Sequence, residues 1–212
     1  MDLPEDYKRG YKEFLSAKID LSKRPLIPRE ETAEWVEIAI KEMKDKNKEL
    51  HCLDLFSGSG CIGIAILKNI KSSVCDFGEI DNQLIEQIKI NLKINNLDGK
   101  IIKTDIFSNI NSLYDYIFAN PPYVDIERWN EVGEDVKEFE PKLALLGGEK
   151  GMELIKKFLE QARDFLNDNG KIFMEFDEEQ VDDIEKIVKN KYSKYKFCRD
   201  NFNKYRYIII EK

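Results

Sequence analysis

The chain has 212 residues, 42% hydrophobic and 35% charged, the balance of a globular protein long enough for one sizeable core. A net charge of −7 argues against a sequence-independent grip on nucleic acid, which needs a basic surface to release counterions. Its apolar runs are strand-sized rather than membrane-spanning, and one histidine with four cysteines lacking a C-x-x-C pair argues against a metal site and for the reducing cytoplasm.

In chain order, Met1–Gly10 has no apolar core and does not read as a signal peptide. Glu5–Phe14 reads as a short helix and Ala17–Leu21 as a strand. Pro25 to Pro28 is extended, and Arg29–Lys46 has helical spacing at Trp35, Ile38, Ala39 and Met43. Residues 1–28 are therefore taken as an N-terminal helix and β-hairpin appendage, and 29–212 as the main domain. Strands and helices then alternate: strand Cys52–Phe56, helix Cys61–Lys68, strand Val74–Gly78, helix Asn82–Ile94 and strands Lys100–Lys103 and Tyr116–Ala119. Helix Met152–Leu166, strand Lys171–Phe176, helix Glu178–Lys189 and strands Tyr195–Cys198 and Tyr205–Ile210 complete the chain. This pattern predicts an α/β fold: a seven-stranded, mostly parallel sheet with helices on both faces and an antiparallel edge. Asn120 to Gly148 is a long loop between strand and helix, the kind that usually carries function.

Three features carry chemistry. Asn120-Pro121-Pro122-Tyr123 follows the buried run Tyr116–Ala119, and two prolines stop a strand by removing N–H donors and locking φ. A stiff loop at a strand's carboxyl end, with an amide, free carbonyls and an aromatic face, suits a planar nitrogen-bearing group; a structural reading is a proline-rich turn with a packing tyrosine. Leu53 to Gly63 is a strand, a glycine loop and a helix, with Asp54 able to accept hydrogen bonds near the turn. There Gly58 allows the turn, Gly60 close backbone approach and Gly63 helix–strand packing. Glu79 ends the next strand, where an acidic residue takes ribose hydroxyls, so this loop fits a nicotinamide dinucleotide or S-adenosylmethionine equally. Asp105 is placed for an adenine amino group, with Ile106 and Phe107 lining the ring, or else caps a turn; Asp81 reads as a helix N-cap.

These residues resemble the HemK/PrmC-type class I methyltransferases, which N5-methylate the glutamine of the Gly-Gly-Gln motif in peptide-chain release factors. The resemblance runs from about Phe14 to Gln180. It rests on Pro25 to Thr32, Asp54 to Gly63, Asn120 to Tyr123, Glu140 to Leu145 with Gly147, Gly148 and Gly151, and Glu175 and Gln180. It implies a Rossmann-like fold and S-adenosylmethionine as cofactor, with S-adenosylhomocysteine as product. It further implies that Phe56, Ser57, Gly58, Ser59, Gly60 and Glu79 hold methionine and ribose, that Asp105 and Ile106 hold adenine, and that Asn120 also borders the cofactor. Asn120 and the Pro121 carbonyl would accept the substrate's N–H groups, with Pro122 and Tyr123 shaping the site and Tyr123 packing on the amide plane. The implied partner is a release factor, with no membrane. The family's N-terminal helical domain would survive here only as Met1–Glu13; Glu30 stands where proline is common, and Asp177 where glycine is usual. The competing readings are an amino methyltransferase acting on adenine or guanine of nucleic acid, which the acidic charge disfavours, and a silent subunit of the same fold.

Overall fold

The computed structural model describes residues 2–46 and 48–212, so Met1, the first residue of the 1–28 appendage, lies outside the described residues. In chain order the elements are α1 (Glu5–Arg9), β1 (Tyr11–Phe14), β2 (Ala17–Asp20), α2 (Glu30–Lys44), β3 (Leu50–Leu55), α3 (Cys61–Asn69), β4 (Ser73–Glu79) and α4 (Asn82–Ile94). They continue with β5 (Lys100–Lys103), β6 (Tyr114–Ala119), α5 (Glu134–Phe139), α6 (Glu153–Gln161), β7 (Leu166–Glu175), α7 (Val181–Lys191), β8 (Lys194–Arg199) and β9 (Tyr205–Glu211). Seven strands form one sheet in the order β5-β4-β3-β6-β7-β9-β8. The pairs from β5 to β7 are parallel, whereas β9 runs antiparallel to both β7 and β8.

Every residue of β6 is buried, because successive side chains enter different cores. Tyr116 and Phe118 pack with α2, α3 and α4 on one face, and Ile117 and Ala119 with α6 and α7 on the other. Trp35 of α2 stacks 6.3–6.4 Å from Phe118, Phe173 and Tyr207, which anchors that helix across the sheet centre. Among the described residues no helix is long and apolar enough to cross a membrane.

Three expectations change. The helix expected over Met152–Leu166 ends at Gln161, and β7 begins at Leu166 rather than Lys171. Glu5–Phe14 is not one helix: Gly10 at φ +80° ends α1 after Arg9, and Tyr11–Phe14 pairs antiparallel with Ala17–Asp20. The long loop after β6 is also folded. It contains α5, 3₁₀ turns at Trp129–Glu131 and Lys142–Ala144, and a bridge between Val124 and Leu146.

The hairpin is sewn to α4 by side-chain amides. Asn91, fully buried, accepts from Asp20 N (2.7 Å) and donates to Asp20 O (3.2 Å) and Ser59 O (2.9 Å). Asn95 likewise accepts from Lys18 N and donates to Lys18 O. Leucine at position 91 fills similar space but strands these backbone groups without partners. We expect Asn91→Leu to lower unfolding stability by about 2 kcal/mol or more in urea titration; an unchanged midpoint refutes this role.

Candidate active site

Parallel pairing sets Leu55 beside Gly78 on one side and Ala119 on the other. The chain departs from β3 toward β4 in one direction and toward β6 in the other, so the order reverses here. Such a reversal opens a crevice beyond the strands' carboxyl ends. A cleft enclosing about 1070 Å³ of space, open solvent included, lies there. Its floor includes Phe56, Ser57, Gly58 and Ser59 after β3, Glu79 after β4, Asp105 and Ile106 after β5, and Asn120 and Pro122 after β6.

Gly58 adopts φ +56°, and a Cβ there would meet nothing nearer than Phe56 O at 4.0 Å. Gly60 at φ +78° is not a cleft residue; its missing Cβ would press on Ile64 and Ile88 at 3.3 Å. It serves the turn and the packing of α3 on α4, so the open approach lies at Gly58. Gly63 abuts β4, where an added Cβ would lie 2.4 Å from Phe77 Cε1. Phe56 and Ile106 hold positive φ, +59° and +51°, which non-glycine residues adopt only when their surroundings enforce it.

Both oxygens of Glu79 are engaged: Oε2 accepts from Gly58 N (2.8 Å), and Oε1 from Ile80 N (2.8 Å) and Asp81 N (2.9 Å). Burial raises its pKa, and these N–H groups oppose the shift. Asp81 caps α4, accepting from Gln83 N at 2.7 Å. Asp105 caps nothing with its side chain; the turn is made by Thr104, whose hydroxyl donates to Ile106 O and accepts from Asn109 N. The Asp105 carboxylate is exposed at the rim with no hydrogen bond among the described residues. Phe107 turns away from the cleft to stack on Phe165, with ring centroids 4.4 Å apart.

Pro121 is buried, and Tyr123 borders a neighbouring groove with Asp125, Arg128 and Lys150. The Tyr123 hydroxyl donates to Glu175 Oε1 at 3.1 Å. Glu175 Oε2 accepts from Thr32 Oγ1 (2.7 Å) and Trp35 Nε1 (2.8 Å), and Asn120 Nδ2 lies 3.4 Å from Thr32 Oγ1. Sequence reasoning placed Thr32 and Glu175 in a motif but missed this network, since no local pattern links residues 143 positions apart.

Two walls rise over the floor, Leu26–Arg29 and Pro141–Ala144. Arg29 Nη2 joins them by donating to both Glu140 oxygens, at 2.8 and 2.7 Å. Ile80, 46% exposed beside Glu79, also lines the cleft; an apolar residue directly after an acidic strand end is a signal the sequence reading passed over.

Gly147 and Gly151 pack against the loop, while Gly148 turns the chain at φ +83° against Glu153. A Cβ at Gly147 would sit 2.4 Å from Pro122 O, and one at Gly151 1.9 Å from Tyr123 O. Gln180 Nε2 donates to Tyr123 O at 2.9 Å, while its Oε1 accepts from Asp177 N. Asp177 adopts ordinary extended backbone (φ −85°) and caps the following turn, so glycine is not required there.

Asp54 is fully buried; Oδ2 accepts from Gly63 N at 2.9 Å, and Oδ1 has no partner. Burial pushes its carboxyl up to about 8, against the pull of Gly63 N–H.

A family model described as "Methyltransferase small domain" matches residues 36–136. A release factor glutamine methyltransferase of Streptococcus pneumoniae is 32% identical over 210 residues, covering 98% of this chain and 75% of that protein. One from Lactococcus lactis subsp. lactis is 30% identical over 210 residues, covering 98% and 77%. Among solved structures, the 16S rRNA N2 G1207 methyltransferase RsmC of T. thermophilus, in complex with AdoMet and guanosine, superposes with a TM-score of 0.68. It is 15% identical, covering 95% of this chain and 49% of that one, and so attests the fold alone.

Two measurements check this geometry. Gly151→Ala adds a clash and strains a φ of +67°, and should cost about 1–3 kcal/mol of unfolding stability; a neutral result would mean that the loop yields freely. Between about pH 4 and 8 the folded chain retains a proton on Asp54 that the unfolded chain has released, so this group's contribution to stability declines as pH rises through that window. Asp54→Asn should flatten that decline in melting curves taken from pH 5 to 8.

Proposed function

This chain belongs to the release factor glutamine methyltransferase family, and we propose that it transfers a methyl group from S-adenosylmethionine to the side-chain amide nitrogen of the glutamine in a release factor's Gly-Gly-Gln motif. The observation that carries this reading is that Asn120 opens onto the same cleft as the glycine loop, Glu79 and Asp105.

The residues fit the cofactor. Gly58 leaves open space where any side chain would intrude, and the unpartnered Asp105 carboxylate is an acceptor available to an amino group. Glu79, fixed by three backbone N–H groups, keeps one lone pair, on Oε2, for a ribose hydroxyl. Phe56, Ser57, Gly58, Ser59 and Glu79 would hold the methionine and ribose, with Ile106 against the base. When bound, S-adenosylmethionine supplies a methyl carbon made electrophilic by its sulfonium.

The amide nitrogen of glutamine is a poor nucleophile because its lone pair is delocalised. The chain's contribution is orientation and polarisation. Asn120 Oδ1 accepts one N–H of the substrate amide, and the Pro121 carbonyl, in a stiff loop, accepts the other. Tyr123, held by Glu175, stiffens that loop. His51 accepts no role: it lies at the opposite end of β3 from the cleft.

The test is labelled methyl transfer to recombinant release factor beside its Gln→Ala variant. Label on the unaltered protein alone supports the reading; label on RNA or DNA instead overturns it. Asn120→Ala should bind S-adenosylmethionine nearly as tightly as wild type while losing turnover roughly 100-fold or more. Lost cofactor affinity in that variant would mean that Asn120 serves the cofactor rather than the acceptor.

A further inference from the structure

Thr32, 2% exposed, stands between Glu175 and Asn120. Its Oγ1 lies 2.7 Å from Glu175 Oε2 and 3.4 Å from Asn120 Nδ2. A hydroxyl has one proton and two lone pairs, so that proton serves one neighbour only. Trp35 Nε1, which can only donate, points at Glu175 Oε2 from 2.8 Å. Oε2 is therefore an accepting oxygen, and the Thr32 proton goes to it. The Tyr123 hydroxyl engages the other oxygen, Oε1, and does not compete.

Thr32 is left with lone pairs alone to offer Asn120. Were the Asn120 amide turned over, its oxygen would face those lone pairs with no proton between them; with nitrogen toward Thr32, a hydrogen bond forms. Because Thr32 and Glu175 are buried, the wrong orientation sets two acceptors against each other where an unmet polar contact is costly. The polarity thus runs one way: Glu175 accepts, Thr32 donates, Asn120 donates, and Asn120 Oδ1 is left as an acceptor.

We propose that Thr32 is a positioning residue that sets which end of the Asn120 amide faces the substrate, so that the site accepts a carboxamide N–H and rejects an isosteric carboxylate. This rests on the glutamine methyltransferase reading and deepens it by assigning the choice of glutamine over glutamate. The two side chains match in shape and differ in charge and hydrogen-bond polarity, and a buried group built for one polarity rejects the other strongly.

The experiment compares wild type with Thr32→Val, Thr32→Ala and Thr32→Ser. Each is assayed for turnover on a Gly-Gly-Gln release factor and for inhibition by its Gly-Gly-Glu variant, with melting curves and S-adenosylmethionine titration alongside. Valine keeps the shape but removes the proton and both lone pairs, leaving the Asn120 amide free to turn over. We expect valine and alanine to lower turnover roughly tenfold or more with cofactor affinity unchanged. They should also strengthen inhibition by the Gly-Gly-Glu protein relative to wild type, and serine should rescue turnover over valine and restore the discrimination. Serine falling as far as valine, or unaltered discrimination in folded valine and alanine variants, overturns the proposal. The alanine variant, which only removes atoms, decides the matter if valine does not fold. A wild-type chain inactive on the Gly-Gly-Gln protein would strike the underlying reading instead.

Discussion

The buried carboxylate of Glu175 is the constraint on which the rest of the molecule depends. It is 1% exposed, and the groups it touches are neutral donors: Thr32, Trp35 and Tyr123. Burying a carboxyl without a cation in contact is costly, and burial raises its pKa while the three donors pull it back. Those donors come from α2 and from the loop after β6, whereas Glu175 ends β7. Satisfying one buried group therefore requires three distant segments to arrive together, and fixes the loop at the switch point as they do.

Trp35 serves both chemistry and packing. Its indole N–H is spent on Glu175 while its ring stacks over Phe118, Phe173 and Tyr207. An indole buries much apolar surface yet needs a partner for its polar edge, and both needs are met here. The core and the cleft are thus not separable parts: the helix that fills the sheet face also presents Thr32 to the site.

How much was legible follows from which forces are local. Strands buried on both faces read directly as apolar runs, and α4 has the expected bounds because Asp81 caps its start as its chemistry demands. The glycine loop, Glu79 and Asn120 were visible as motifs, and they converge on one cleft. The β1–β2 hairpin was half hidden, because Gln87, Asn91 and Asn95, which hold it, lie 67 to 77 residues away. The fold of the segment after Tyr123 was hidden likewise, since Val124 pairs with Leu146, 22 positions on, with no short period to mark it. Gly60 was read as a point of ligand approach, whereas its αL turn and its contact with Ile88 explain it better.

The segment from Gly147 to Gly151 bears on how such a protein can drift. At 147 and 151 any side chain would strike backbone of the loop or its neighbour, and at 148 it would meet Glu153 at 2.3 Å in a left-handed conformation. Glu149 and Lys150, between them, are exposed. Room for other side chains is therefore greatest at Glu149, since Lys150 also holds a left-handed φ of +53°, and Gly147 and Gly151 record the shape of the backbone in front of them, as a mould keeps the outline of its cast.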